Sequence, residues 1–293
     1  MTRPIGRREF LRVCAAVSAA LAPAVVVVVA QEPKRPRLRK AVKYGMIQHR
    51  GTHKDKLDLA RRCGFVGVEI DSPGTQNLDD LVAASKETGV AIHGVIDSVH
   101  WRDTLSHQDE AVRARGLTAL NGALEDARKV GATTVLLVPG VVNKDVTVEQ
   151  CWERSTAEVR KALPLAEKLG VKIAIEVVWN NFITTPEQLI RYVDQFRSDH
   201  VAAYFDCSNM IKYGVAPAEW IRRLGRRMVK FDFKGYSNAK QWVAIGEGDE
   251  DWPEILKALG EIGYDGWATA EVGGGGEDVL RRISAQMDRV LGL

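Results

Sequence analysis

Short apolar runs alternate with longer amphipathic stretches along most of this chain. Eight such runs stand out: VKYGMI (42–47), VGVEI (66–70), VAIHGVI (90–96), TTVLLV (133–138), VKIAIEVV (171–178), VAAYFD (201–206), MVKFDF (228–233) and WATAEV (267–272). Their length and β-branched content predict strands, several of them buried on both faces. Between them lie stretches of helical spacing, such as KDKLDLARRCG, TALNGALEDARKVG, STAEVRKALPLAEKLG and PEILKALGEIG, many closing on a glycine suited to a helix C-cap. Eight successive strand and helix units predict an α/β fold, a (β/α)8 barrel over residues 41–293 in one domain. An open doubly wound sheet fits less well, because GMIQHRGTHKDK after the first run lacks the glycine pattern of a dinucleotide-binding turn. Two connections are long, 97–115 and 235–252, and long loops in compact domains tend to carry function.

The seventh run is the unusual one. In MVKFDFKGYS (228–237), Val229, Phe231 and Phe233 alternate with Lys230, Asp232 and Lys234, which sends one set to each face of a strand. In a barrel this packs the phenylalanines under the outer helices. The charged set then lines the interior and upper rim, pairing with neighbouring carboxylates. Other runs also end on acids: Glu69, Glu176, Asp206 and Glu271. Barrel chemistry sits at the C-terminal ends of the strands, so runs five to eight each deliver one carboxylate (Glu176, Asp206, Asp232, Glu271) to one place. Converging anions repel, so either a divalent cation or the lysines Lys230 and Lys234 must compensate them. The second arrangement is a salt-bridged cap without metal. One oxygen-ligated ion favours Mn²⁺, with Mg²⁺ or Co²⁺ acceptable and Zn²⁺ less so.

Composition narrows the setting. A hydrophobic content of 45% with 27% charged residues describes an ordinary globular protein and argues against disorder. The first thirty residues stand apart: Arg7 and Arg8, then Phe10 and Leu11, lead into an apolar stretch from Val13 to Val29, and 31–40 form a basic linker. This pattern resembles a twin-arginine signal, which implies an exported, periplasmic protein without stable membrane association after cleavage. An uncleaved anchor is the less favoured reading, since the apolar run is near the lower bound for a span. Residues 1–30 carry four arginines and one glutamate, so the full chain's +3 leaves about zero for the remainder. A neutral body gives no electrostatic footprint for nucleic acid. Cys63, Cys151 and Cys207 remain, an odd number without CxxC spacing, which suggests neither a disulfide framework nor a thiolate metal site.

The segments IAIEVVWNN, YFDCSNMIKYG, VKFDFKGYS, GEGDEDWPEILKALGEIGYDGWATAEV and SVHW are similar to the sugar phosphate isomerase/epimerase family, the xylose-isomerase-like TIM barrels, over residues 40–290. The resemblance implies one divalent metal held by Glu176, Asp206, Asp232 and Glu271, with Glu176 and Glu271 also acting as the proton-transfer pair. Three positions depart from the common pattern. Asp232 stands where His is more usual, Asn209 where a His often follows the sixth-strand Asp, and Asn238 near an Arg of several ketose epimerases. The related endonuclease branch needs a His-rich trinuclear zinc cluster, and this chain's six His residues avoid the ends of strands six to eight.

The implied reaction is metal-assisted proton abstraction beside a carbonyl of a keto-sugar, through an ene-diolate, giving epimerisation or isomerisation. Elimination from the same intermediate would make a lyase or hydratase of keto-sugars or keto-glycosides. A rival of another class is a non-catalytic carbohydrate-binding barrel, which both glutamates argue against. The partner is a small-molecule sugar; self-association is left open. Further candidates for substrate contact are Lys234, at the rim, and His100 and Trp101, on the long loop after the third run. Glu69, Asn209 and Trp179, the last beside Asn180, complete the set. Lys234 reads equally as a partner of Asp232, Trp101 as a loop anchor, and Glu69 as a surface carboxylate. His93 reads as an interior histidine. The glycines 273–276 could form an anion nest, but without a following Lys, Ser or Thr they read rather as a flexible loop, which leaves room for an unphosphorylated sugar.

Overall fold

A computed structural model describes residues 35–292. The signal-like segment 1–30 and the first residues of the basic linker lie outside the described residues. Eight parallel strands close into a barrel: β1 (Arg39–Lys43), β2 (Gly67–Ser72), β3 (Ala91–Asp97), β4 (Thr134–Leu137), β5 (Lys172–Glu176), β6 (Val201–Asp206), β7 (Met228–Phe233) and β10 (Trp267–Ala270). β8 (Tyr236–Ser237) and β9 (Gln241–Trp242) form a small antiparallel hairpin inside the 235–252 connection, an element the apolar pattern did not foretell. The helices α1 (His53–Arg62), α2 (Leu78–Thr88), α3 (Glu110–Val130), α4 (Val148–Leu169), α5 (Pro186–Asp194), α6 (Pro217–Leu224), α7 (Trp252–Glu261) and α8 (Glu277–Leu291) alternate with the barrel strands. Among the described residues no helix is long and apolar enough to cross a membrane.

Local chemistry sets these boundaries. Thr52 with Asp55, Thr147 with Gln150 and Thr185 with Gln188 make capping boxes that start α1, α4 and α5. Gly131 and Gly170 end α3 and α4 with φ of 77° and 68°, left-handed values that a side chain would strain.

The apolar core lies between strands and helices, while much of the barrel interior is polar. Phe231 and Phe233 point outward as the alternation requires. Phe205 stacks on Trp220 of α6 at 5.8 Å, and Phe233 stacks on Trp252 of α7 at 4.7 Å. Inside, Leu136, Ala174 and Tyr204 form a small apolar floor. The polar residues Lys43, Glu69, His93, Lys230, Asp232 and Thr269 are also buried. Lys230 does not pair with a carboxylate as expected. It donates to Nδ1 and the carbonyl oxygen of His93 at 2.8 and 2.7 Å. His93, the expected interior histidine, stacks on Trp267 at 4.6 Å. Burial, before the nearby Lys230 charge, holds His93 well below the usual imidazole range, and burial also pulls Lys230 down to about 8.

Candidate active site

Strand register gathers the acids at the C-terminal mouth. Asp206 and Asp232 are lateral neighbours on β6 and β7, and the Glu271 amide, just past β10, donates to the Phe233 carbonyl at 3.0 Å. Glu176 closes β5, separated from β10 by β6 and β7. One oxygen from each of Glu176, Asp206, Asp232 and Glu271 lies within 4.8 Å of the others. The convergence expected from the four strand ends is therefore present in space.

Two lysines sit among them. Lys234 lies 2.9 Å from Asp206 and 3.0 Å from Glu271, rather than on Asp232. Asp232 is instead 2.9 Å from Lys43, which also holds Glu69 at 2.5 Å. Lys43 was not singled out by the sequence, although a lysine inside the first apolar run is the same signal as Lys230 in the seventh. Tyr204 joins this network, its hydroxyl 2.6 Å from Asp232 and 2.9 Å from Glu69. Glu69 is thus fully buried beneath the site and supports Lys43; its reading as a substrate contact or surface carboxylate is corrected. The cause is strand length, because β2 runs to Ser72 and leaves Glu69 in mid-strand. Gly94 makes room for it: a Cβ there would meet Glu69 Oε1 at 2.2 Å.

Even so the negative charge is in excess. Glu69, Glu176, Asp206, Asp232 and Glu271 face the ammonium groups of Lys43 and Lys234, leaving three charges uncompensated if all ionise. Oε1 of Glu176 is buried without a hydrogen-bonding partner among the described residues. Burial, then the charge of Glu271, pushes Glu176 up to about 8. Burial likewise raises Asp232 well above the carboxylate range. Burial would raise Glu271 too, but Lys43 and Lys234 reverse the sign and hold it down to about 2; its side chain keeps 38% of its surface open to the mouth. Burial alone would lower Lys43, yet Asp232 and Glu69 outweigh it and hold that lysine well above its usual range. A cluster of oxygen donors with an unsatisfied buried carboxylate fits a hard divalent cation.

Other bonds fix the ligands' direction. Oδ1 of Asp206 accepts the amides of Ser208 and Asn209, both at 2.8 Å. Ser208 Oγ donates to Glu250 at 2.6 Å, and Glu250 also accepts the Tyr236 amide at 2.7 Å, tying the hairpin to the end of β6. Glu250 is a second residue the sequence pattern did not single out, since it sits in an acidic loop run that resembles a solvated one.

Above the acids opens a cavity of about 250 Å³ lined by Lys43, His100, Trp101, Glu176, Trp179, Asn209, Lys234, Trp242 and Glu271, together with Ile96, Leu136 and Val178. It therefore holds the expected Lys234, His100, Trp101, Asn209 and Trp179. His100 is buried, which lowers it to about 4 and keeps it neutral. Its Nδ1 accepts the Val138 amide at 3.3 Å, so the proton resides on Nε2 as a donor. Trp179 donates to the Asn209 carbonyl at 2.8 Å and stacks on Trp242 with ring centroids 5.0 Å apart. Asn180 donates to the Gly140 carbonyl at 2.7 Å, bracing the loop behind this wall. Asn238 lies away from the cavity and is tied to Asp249. The Gly275 amide is already bonded to the Met46 carbonyl at 3.0 Å, which removes it from any anion nest.

A closed parallel barrel with titratable groups converging at this mouth places the protein among the TIM barrels, whose chemistry is built at that end. The chain belongs to the xylose isomerase-like TIM barrel family, which matches residues 57–288. L-ribulose-5-phosphate 3-epimerase UlaE of Escherichia coli O1:K1 is 25% identical over 224 residues, spanning 72% of this chain and 79% of that protein. The D-psicose 3-epimerase of Clostridium cellulolyticum H10, solved with D-tagatose, aligns with TM-score 0.72 at 21% identity over 86% of this chain and 98% of that one. The IolI protein, solved with a bound zinc atom, aligns with TM-score 0.75 at 19% identity over 87% and 98%. At such identities these two structures speak to the fold.

Proposed function

We propose that the protein is a divalent-metal-dependent isomerase or epimerase of keto-sugars that abstracts a proton beside a carbonyl and passes through an ene-diolate. The observation that carries this reading is the unpartnered Glu176 carboxylate within 4.8 Å of three further carboxylates at the floor of a small cavity. Kinship with ribulose-phosphate 3-epimerases supports the same class. Glu176, Asp206, Asp232 and Glu271 would hold the ion, and an all-carboxylate set suits Mn²⁺ best. When bound, the ion supplies Lewis acidity at the carbonyl. Glu176 and Glu271 reach the cavity from strands with two others between them. One takes the proton from one face of the substrate and the other returns it to the opposite face. His100 Nε2–H and Lys234 offer donors to hydroxyl groups, and Trp101, Trp179 and Trp242 wall the cavity. The twin-arginine pattern in residues 1–30 supports export, so the reaction is assigned to the periplasm.

The test is isotope wash-in. Keto-sugars incubated with the Mn²⁺-loaded protein in deuterated water gain deuterium beside the carbonyl, and Glu176→Gln or Glu271→Gln lowers the rate by at least about 10²-fold. Full exchange in both variants would overturn the assignment.

A further inference from the structure

A second cavity, about 500 Å³ in volume, lies beyond the first and shares Lys234, Trp242 and Glu271 with it. Trp242 stands between the two. Its ring rests against Trp179 at 5.0 Å and Tyr236 at 5.2 Å, yet half of its surface (50%) stays exposed. An exposed tryptophan held rigidly by two other rings is a preorganised platform that loses little freedom when a ligand covers it. The rest of the outer cavity is Val243, Val272 and backbone at Gly235 and Gly273.

The charge of this space selects its ligand. Among the described residues that line it, Lys234 supplies the positive charge, and that ammonium already serves Asp206 and Glu271 at 2.9 and 3.0 Å. A phosphate would therefore meet a compensated lysine and the Glu271 carboxylate, an unfavourable place for an anion. A neutral sugar ring suits it, with its C–H face on the indole of Trp242 and its hydroxyls toward backbone carbonyls and solvent.

We propose that the outer cavity is a subsite for a second, uncharged sugar ring, so that the substrate is a keto-glycoside with the reacting ring over Glu176 and Glu271 and its substituent on Trp242. For the inner ring this rests on the keto-sugar reading above. The outer ring's binding stands on the cavity itself.

The experiment measures binding without turnover. Tryptophan fluorescence and calorimetry on the Mn²⁺-loaded protein compare D-fructose with maltulose, isomaltulose, turanose and lactulose, ketoses that carry a second ring at different positions. At least one disaccharide binds about tenfold more tightly than D-fructose, the factor one stacked aromatic contact supplies. Gly273→Phe fills the outer cavity from a position where an added Cβ meets nothing within 4 Å. It brings the ratio of the two dissociation constants to within about twofold. Trp242→Ala, read by calorimetry, does the same by removing the platform. Disaccharides that bind no better than D-fructose, a ratio that survives both substitutions, or tighter binding of fructose 6-phosphate than of every disaccharide would each overturn the proposal. Isotope exchange separates the two readings. Loss of exchange with the ratio intact refutes the isomerase assignment, and exchange with no disaccharide preference refutes the subsite.

Discussion

Replacing Lys43 by Met tests how the acid cluster is held together. The ammonium lies 2.5 Å from Glu69 and 2.9 Å from Asp232, both fully buried, and its own side chain is 9% exposed. Methionine fills much the same volume but leaves both carboxylates without their cation. Removing one partner of a buried ion pair costs about 3–5 kcal/mol, because the remaining charge stays desolvated. The Tyr204 hydroxyl, 2.9 and 2.6 Å from the two carboxylates, still donates its one proton between them and keeps the cost toward the lower end of that range. For a domain of this size the loss lowers Tm by about 10 °C. Urea unfolding followed by circular dichroism gives the free energy directly. A double-mutant cycle isolates the pair: with Glu69→Gln already in place, Lys43→Met costs at least about 1.5 kcal/mol less, since the neutral amide needs no counter-charge. A single-variant loss below about 1 kcal/mol, or additivity within about 0.5 kcal/mol, would refute the view that Lys43 holds the floor of the site.

Three further expectations concern the same cluster. Mn²⁺ at about 100 times its dissociation constant stabilises the protein by about 2.7 kcal/mol, a Tm rise of about 5–10 °C in a thermal scan, and Glu176→Gln removes most of that rise; an equal rise in the variant would take Glu176 out of the coordination set. Because burial pushes Glu176 up to about 8, the ion must displace a proton below that pH. Mn²⁺ affinity therefore climbs at least about tenfold from pH 6 to 7, as calorimetry at several pH values would show; a flat profile counts against it. The sign for metal-free stability is opposite: the folded chain keeps a proton that the unfolded glutamate loses above its ordinary value of 4.5, so stability falls as pH rises from there through about 8. Tyr204→Phe removes the one hydroxyl proton that two buried carboxylates share and costs about 1.5–3 kcal/mol in urea unfolding, whereas an unchanged midpoint would show that hydroxyl to be idle.

The fold was readable because barrel strands buried on both faces give apolar runs that few other elements imitate. Asp206 and Asp232 were visible for a related reason: a charge at the end of such a run needs a partner, and the architecture dictates where that partner is. Register was not readable. Whether Lys230 would meet a carboxylate or His93 depends on how far β7 slides past its neighbours, and the irregular step between Ala203 and Tyr204 is invisible in a chain of letters. Glu69 was misplaced by the same limit, as two more residues of β2 move it from the rim to the interior. Lys43 carried a signal of the kind used for the seventh run, but it is a single lysine near the start of the first run, without the alternating charged set that marks the seventh. The hairpin left no apolar pattern because its strands have only two residues each.

The tie from Glu250 to Ser208 and Tyr236 has an engineering consequence. It anchors the excursion carrying Trp242 onto the same strand end that presents Asp206, so the excursion behaves as an interchangeable cassette with a built-in latch. Chimeras that transplant 235–250 together with a serine at 208 should keep their reaction while inheriting the donor's preference among sugars, and recombining family members at those two seams offers a direct route to new specificities.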